Sequence, residues 1–135
     1  MAHDERQYSC EFFPPRTEKG RESCLEALTG LVELKPASFS CTYGAGGTTQ
    51  AGTAETLSEI LAAGFPAAAH ITCIGSTEDK IRDLLKQYKT MGVNRLVALR
   101  GDLPEGIADP GVFHYADELI SFIRKETGDD FHIEI

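Results

Sequence analysis

Residues 67–102 read AAAHITCIGSTEDKIRDLLKQYKTMGVNRLVALRGD, and this stretch decides the fold. Ala67 to Ile74 is short and largely apolar, as a buried strand is. Ser76, with Asp79 one helical turn on, resembles a capping box, and Ile81, Leu84, Leu85, Tyr88 and Met91 then recur at helical spacing until Gly92 closes the helix. Arg95 to Arg100 returns to strand character. A strand, a helix and a strand in such close succession form a crossover unit with parallel strands.

The same unit repeats on both sides. Upstream, Tyr8 to Phe13 is a strand stopped by Pro14-Pro15. A helix follows from Thr17, with Glu18 in its first turn and Cys24, Leu25, Leu28, Leu31 and Val32 on one face, ending at Lys35-Pro36. Ala37 to Tyr43 is the next strand. Gly44 to Gly47 turn the chain into a helix carrying Ala54, Leu57, Ile60 and Leu61, which Gly64 terminates. Downstream, a loop from Asp102 to Phe113 leads to a helix bearing Ala116, Leu119, Ile120 and Ile123, stopped near Gly128, and Phe131 to Ile135 begins a fifth strand.

Two architectures fit this alternation, an open doubly wound sheet and a (β/α)8 barrel. The rhythm favours the barrel. The polar residues at strand ends, Glu11, Thr42, Thr72 and Asp102, lie 31, 30 and 30 residues apart. Eight such units need ~240 residues, against roughly 250 for a complete barrel. The expectation is therefore an α/β chain forming the N-terminal portion of a (β/α)8 TIM barrel, about four βα units and the start of the fifth strand. Residues 1–135 belong to one domain, with no second domain and a truncated end.

Composition bounds the function. Of 135 residues, 41% are hydrophobic and 25% charged, enough apolar content for one core. A net charge of −8 with no basic run argues against nucleic acid as a partner. The polar start and short apolar stretches show neither a secretory signal nor a membrane span. Cysteines at 10, 24, 41 and 73 contain no CxxC pair, so we read them as reduced, inert thiols of a cytoplasmic protein, with no metal site.

Side chains alternate along a strand, so period-two reading assigns faces. Ser38, Ser40 and Thr42 share one face and Phe39 and Cys41 the other. Ala68, His70 and Thr72 oppose Ala69, Ile71 and Cys73. In the fourth strand, Leu96 and Ala98 are expected to join Arg100 and Asp102 on the polar face, leaving Val97 and Leu99 toward the helices.

Polar groups at the C-terminal ends of parallel strands are where α/β folds carry their chemistry. Glu11, in Cys10-Glu11-Phe12-Phe13, is a candidate general acid because aromatic surroundings disfavour its charged form. An exposed, ion-paired carboxylate is the alternative. Asp102 follows Gly101, which permits close approach of a ligand, and Arg100 can hold an anion. A simple Arg-Asp ion pair explains both equally well. His70 is a proton carrier or a satisfied core histidine. The Thr42-to-Thr49 loop can offer backbone N–H groups, although it lacks the Walker lysine and the third glycine of a dinucleotide fingerprint.

Four ordered motifs, Glu11-Phe12-Phe13-Pro14-Pro15-Arg16-Thr17, Thr42-Tyr43-Gly44-Ala45, His70-Ile71-Thr72-Cys73 and Leu99-Arg100-Gly101-Asp102-Leu103-Pro104, resemble the methylenetetrahydrofolate reductase family from Tyr8 to Ile135. The resemblance implies a (β/α)8 barrel with FAD that reduces 5,10-methylenetetrahydrofolate to 5-methyltetrahydrofolate, recharged by NADH or NADPH. It implies that Glu11 is the general acid that protonates N10, opening the ring to the iminium that accepts hydride. Asp102 is then the carboxylate near flavin and folate. Thr42, Tyr43, Ala45, His70, Arg100, Gly101, Tyr115 and Ala116 match flavin-contacting positions, the last two less securely because the loop after Asp102 is longer than in some relatives. Cys10 replaces a bulkier apolar residue. The resemblance also implies a homo-oligomer. Two further readings stand beside it: a barrel enzyme that uses Glu11 and Asp102 without flavin, and a non-catalytic half-barrel that binds a partner chain.

Overall fold

The computed structural model describes residues 6–43, 50–103, 105–106, 109 and 111–135. It contains five strands, β1 (Ser9–Phe12), β2 (Ser38–Cys41), β3 (Ala67–Thr72), β4 (Arg95–Leu99) and β5 (His132–Glu134). Four helices alternate with them, α1 (Glu18–Leu31), α2 (Gln50–Ala62), α3 (Glu78–Met91) and α4 (Ala116–Thr127). Each strand is one to three residues shorter than its apolar run, because ladder bonding ceases before the apolar pattern does.

All strands are parallel, and the sheet order follows the sequence, β1-β2-β3-β4-β5. A doubly wound sheet reverses strand order to place helices on both faces. Here every crossover advances in one direction, and a single apolar cluster joins one face of the sheet to all four helices. It contains Leu28 of α1, Leu57 and Ile60 of α2, Ile81, Leu84 and Leu85 of α3, and Leu119 and Ile123 of α4, packed on Phe39, Cys41, Ala69, Ile71, Leu96 and Ala98. Sequential parallel order with one helical layer is the arrangement of a partial (β/α) barrel.

Thr17 caps α1 by accepting from the Gly20 N–H at 3.0 Å. The helix tightens into a 3-10 turn at Val32–Leu34 before Lys35 takes a left-handed φ of 51°. At α3 the cap is Thr77, whose Oγ1 accepts from Lys80 N at 3.2 Å. Ser76, expected from its spacing to Asp79, instead donates to the Thr72 carbonyl at 3.1 Å, so its hydroxyl is committed to the end of β3. Gly92 closes α3 with φ 93°, as its position in the sequence requires.

One face assignment is corrected. Paired residues of neighbouring strands point the same way, and the registers Glu11↔Ser40, Ala68↔Arg95, His70↔Val97 and Thr72↔Leu99 put Val97 and Leu99 on the polar inner face. Leu96 and Ala98 are both fully buried on the helix side. Ala68 pairs with a residue 27 positions on, an odd offset, whereas Phe39 pairs with Ala67, an even one, so the parity that faces inward switches at β4.

Candidate active site

The inner face gathers polar side chains from successive strands. Glu11 on β1, Ser40 on β2 and His70 on β3 converge there. His70 Nε2 lies 3.4 Å from Glu11 Oε2 and 3.3 Å from Ser40 Oγ. The imidazole is 8% exposed and the Glu11 side chain 52%, so the contact has a dry end and a wet end. Burial pushes the His70 pKa below its ordinary value, while the carboxylates of Glu11 and, from β5, Glu134 act in the opposite sense.

The physical setting of Glu11 differs from the aromatic enclosure expected. Phe12 points to the other face, where it stacks on Phe39 at 5.7 Å, and Phe13 is 76% exposed. The alternation that brings Glu11 inward carries its aromatic neighbour outward.

A second group of expected residues assembles where β4 meets α4. Arg100 follows the last residue of β4 and donates from Nε to the His114 carbonyl at 3.0 Å, with its guanidinium 5.8 Å from the centre of the Tyr115 ring. Tyr115 occupies the N-cap position of α4 and Ala116 is the first residue of that helix. Among the described residues no ion pair joins Arg100 to Asp102, so the simple salt bridge is not what holds this turn. Gly101 adopts φ +80°, which favours glycine, and a Cβ there would crowd Thr72 Cβ at 3.2 Å. Asp102 stands just beyond it, exposed.

Thr42 continues β2, its N–H bonded to the Phe12 carbonyl and its own carbonyl accepting from Thr53 Oγ1 at 3.1 Å. Tyr43 is half-buried. Ala45, with the rest of the glycine loop at 44–49, lies outside the described residues. The structure thus joins Glu11 to His70 and Arg100 to Tyr115, with Thr42, Gly101 and Asp102 at the same C-terminal rim of the sheet. Ser40 was missed as a site residue. Its signal was its shared face with Thr42, and only the register to Glu11 reveals its partner.

All four cysteines are free thiols, and burial pushes Cys41 up to about 12, which leaves it protonated and unreactive near neutrality. No described helix is long and apolar enough to cross a membrane, and the described residues hold no cluster of three or more metal-ligating side chains.

Parallel strands in sequential order, one helical layer and a polar rim at the strands' C-terminal ends define a (β/α)-barrel chain with its candidate chemistry on the barrel's customary catalytic face. The sequence model described as methylenetetrahydrofolate reductase matches residues 1–135, and the chain belongs to that family. It is 37% identical over 128 residues to the 5,10-methylenetetrahydrofolate reductase of Escherichia coli strain K12, covering 94% of this chain and 42% of that protein. Against methylenetetrahydrofolate reductase (NADH) 1 of Arabidopsis thaliana it is 35% identical over 133 residues, covering 95% of this chain and 22% of that protein. The chain therefore spans less than half the length of these relatives. A crystal structure of Streptococcus suis SuiB superposes with a TM-score of 0.47 at 13% identity, covering 94% of this chain and 39% of that one, too slight a likeness to support more.

Proposed function

We propose that the whole protein carrying this chain reduces 5,10-methylenetetrahydrofolate to 5-methyltetrahydrofolate, with FAD as its cofactor and NADH or NADPH as the source of reducing equivalents. In this reading residues 1–135 are the first part of a single barrel domain, in a cytoplasmic enzyme that assembles as a homo-oligomer. The observation that carries it is the Glu11–His70 contact at 3.4 Å on the inner face, beside a solvent-reachable rim. A carboxyl so placed can reach a substrate from one side while a buried base holds it from the other.

The residues present suit a flavin dinucleotide in kind. Among the described residues Arg100 donates from Nε to the His114 carbonyl, and its guanidinium is a group that can meet a phosphate through its terminal N–H groups. Exposed Leu99 and Tyr115, beside the side-chain-free Gly101, offer apolar and aromatic surface to a flat ring system. Thr42, Tyr43, His70, Arg100, Gly101, Asp102, Tyr115 and Ala116 would hold the group, together with Ala45. When bound, the flavin supplies the hydride. Glu11 would bind the folate and deliver its proton to N10, and Asp102 would help to bind the pterin.

Glu11→Gln in the full-length protein tests the assignment. Reduction of flavin by NAD(P)H should persist, while folate reduction falls by ~100-fold or more, the usual worth of a general acid. Stopped-flow absorbance of each half-reaction reads the two separately. Loss of both would count against an acid role. A full-length protein that is colourless and cannot be reconstituted with FAD would favour a flavin-independent barrel enzyme.

A further inference from the structure

Three side chains from three adjacent strands meet at one atom. His70 Nε2 has Glu11 Oε2 at 3.4 Å and Ser40 Oγ at 3.3 Å, and Ser40 is itself buried at mid-strand on β2. We propose that Ser40 is a positioning residue: its hydroxyl fixes the His70 ring with Nε2 toward the Glu11 carboxyl, so that a proton passes between Nε2 and Oε2. The inference deepens the proposed function and rests on it only for the identity of the substrate.

A hydroxyl suits this place because it can accept from a protonated Nε2 or donate to a bare one, so the ring is held in either state. The proton cycle balances without electron transfer. A protonated Nε2 gives its hydrogen to the Glu11 carboxylate, leaving a neutral ring with its hydrogen on Nδ1. Glu11 then gives that proton to the substrate nitrogen, and one proton from solvent restores Nε2. The charged groups facing the ring are Glu11 from β1 and Glu134 from β5, the latter paired with Arg95 of β4 at 3.5 Å. Burial works against the imidazolium while these carboxylates favour it, so neither placement of the proton is locked. Ser40 is carried on a paired central strand, where its position is set by backbone bonding on both sides.

The test is a double-mutant cycle read by NMR titration of His70 in the flavin-loaded full-length protein, the resonance being assigned by its loss in His70→Asn. Glu11→Gln should lower the His70 midpoint by on the order of one pH unit, because an opposite charge is removed. In a Ser40→Ala background the same substitution should lower it by less than half as much, and the ring nitrogens should shift toward tautomer averaging. The folate half-reaction of Ser40→Ala should fall about tenfold, within the ~100-fold that a 1 Å misplacement can cost, and Ser40→Thr should restore it. If Ser40→Ala does not fold, Ser40→Cys, of similar size and weaker hydrogen bonding, takes its place. A His70 midpoint indifferent to Glu11→Gln, or one that moves equally in both backgrounds, overturns the proposal even in an active enzyme. Coupled shifts in a protein that does not reduce folate uphold the positioning role and overturn the substrate assignment instead.

Discussion

His70 links the site to stability through its protonation. Its pKa lies below the ordinary 6.5 because burial disfavours the imidazolium. Below pH 6.5 the unfolded chain therefore takes up a proton that the folded chain resists. This contribution is fully present above about 6.5 and is lost as pH falls through the lowered folded value. Denaturant midpoints of the full-length protein should decline on acidification from that point, and His70→Gln should flatten the decline. An unchanged slope in the variant would show that other groups carry it. That His70 shares a face with Ala68 and Thr72 was legible from the alternation of β3, but its contact with Glu11 two strands away was not. The role of Ser40 was not, because a serine in a strand gains its partner only from a register that local sequence does not encode.

At the scale of elements, caps and turns were easier to read than faces. Gly92 ends α3 where its left-handed geometry predicts, yet the start of the same helix is displaced by one residue from Ser76 to Thr77. Both residues are competent caps, and the tie is broken by Ser76 turning back to the Thr72 carbonyl. Thr77→Ala should cost about 1 kcal/mol in urea-melt stability, with Thr77→Asp retaining most of it. Equal stability of Thr77→Ala and the parent protein would return the cap to Ser76. The inward parity of β4 was illegible for a different reason. Alternation gives two faces but not which is inside, and the connection between β3 and β4 changes the answer by a single residue.

At the scale of the whole sheet, β1 and β5 each have one neighbour and one open edge among the described residues. Open parallel edges invite pairing with another chain, and a five-stranded wall leaves the inner face uncovered. A polypeptide of these 135 residues expressed alone should therefore purify without flavin absorbance and self-associate on light scattering. A yellow, monodisperse monomer would contradict this. The fold class was readable because the repeat is so even: 31, 30 and 30 residues between equivalent strand ends leave little freedom in topology.

The order of the sheet also bears on how the chain acquires its shape. Ser9 pairs with Ser38, Phe39 with Ala67, Ala68 with Arg95 and Arg95 with His132, so each new strand closes on the one made immediately before it. Among the described strands no pairing waits for a distant segment, and each closure spans a modest loop whose entropy cost grows only slowly with length. Such a sheet can be laid down strand by strand in the direction of synthesis, each unit templating the next as it leaves the ribosome. Glu11, Ser40 and His70 would then be aligned once the third strand docks, before Arg100 has been placed.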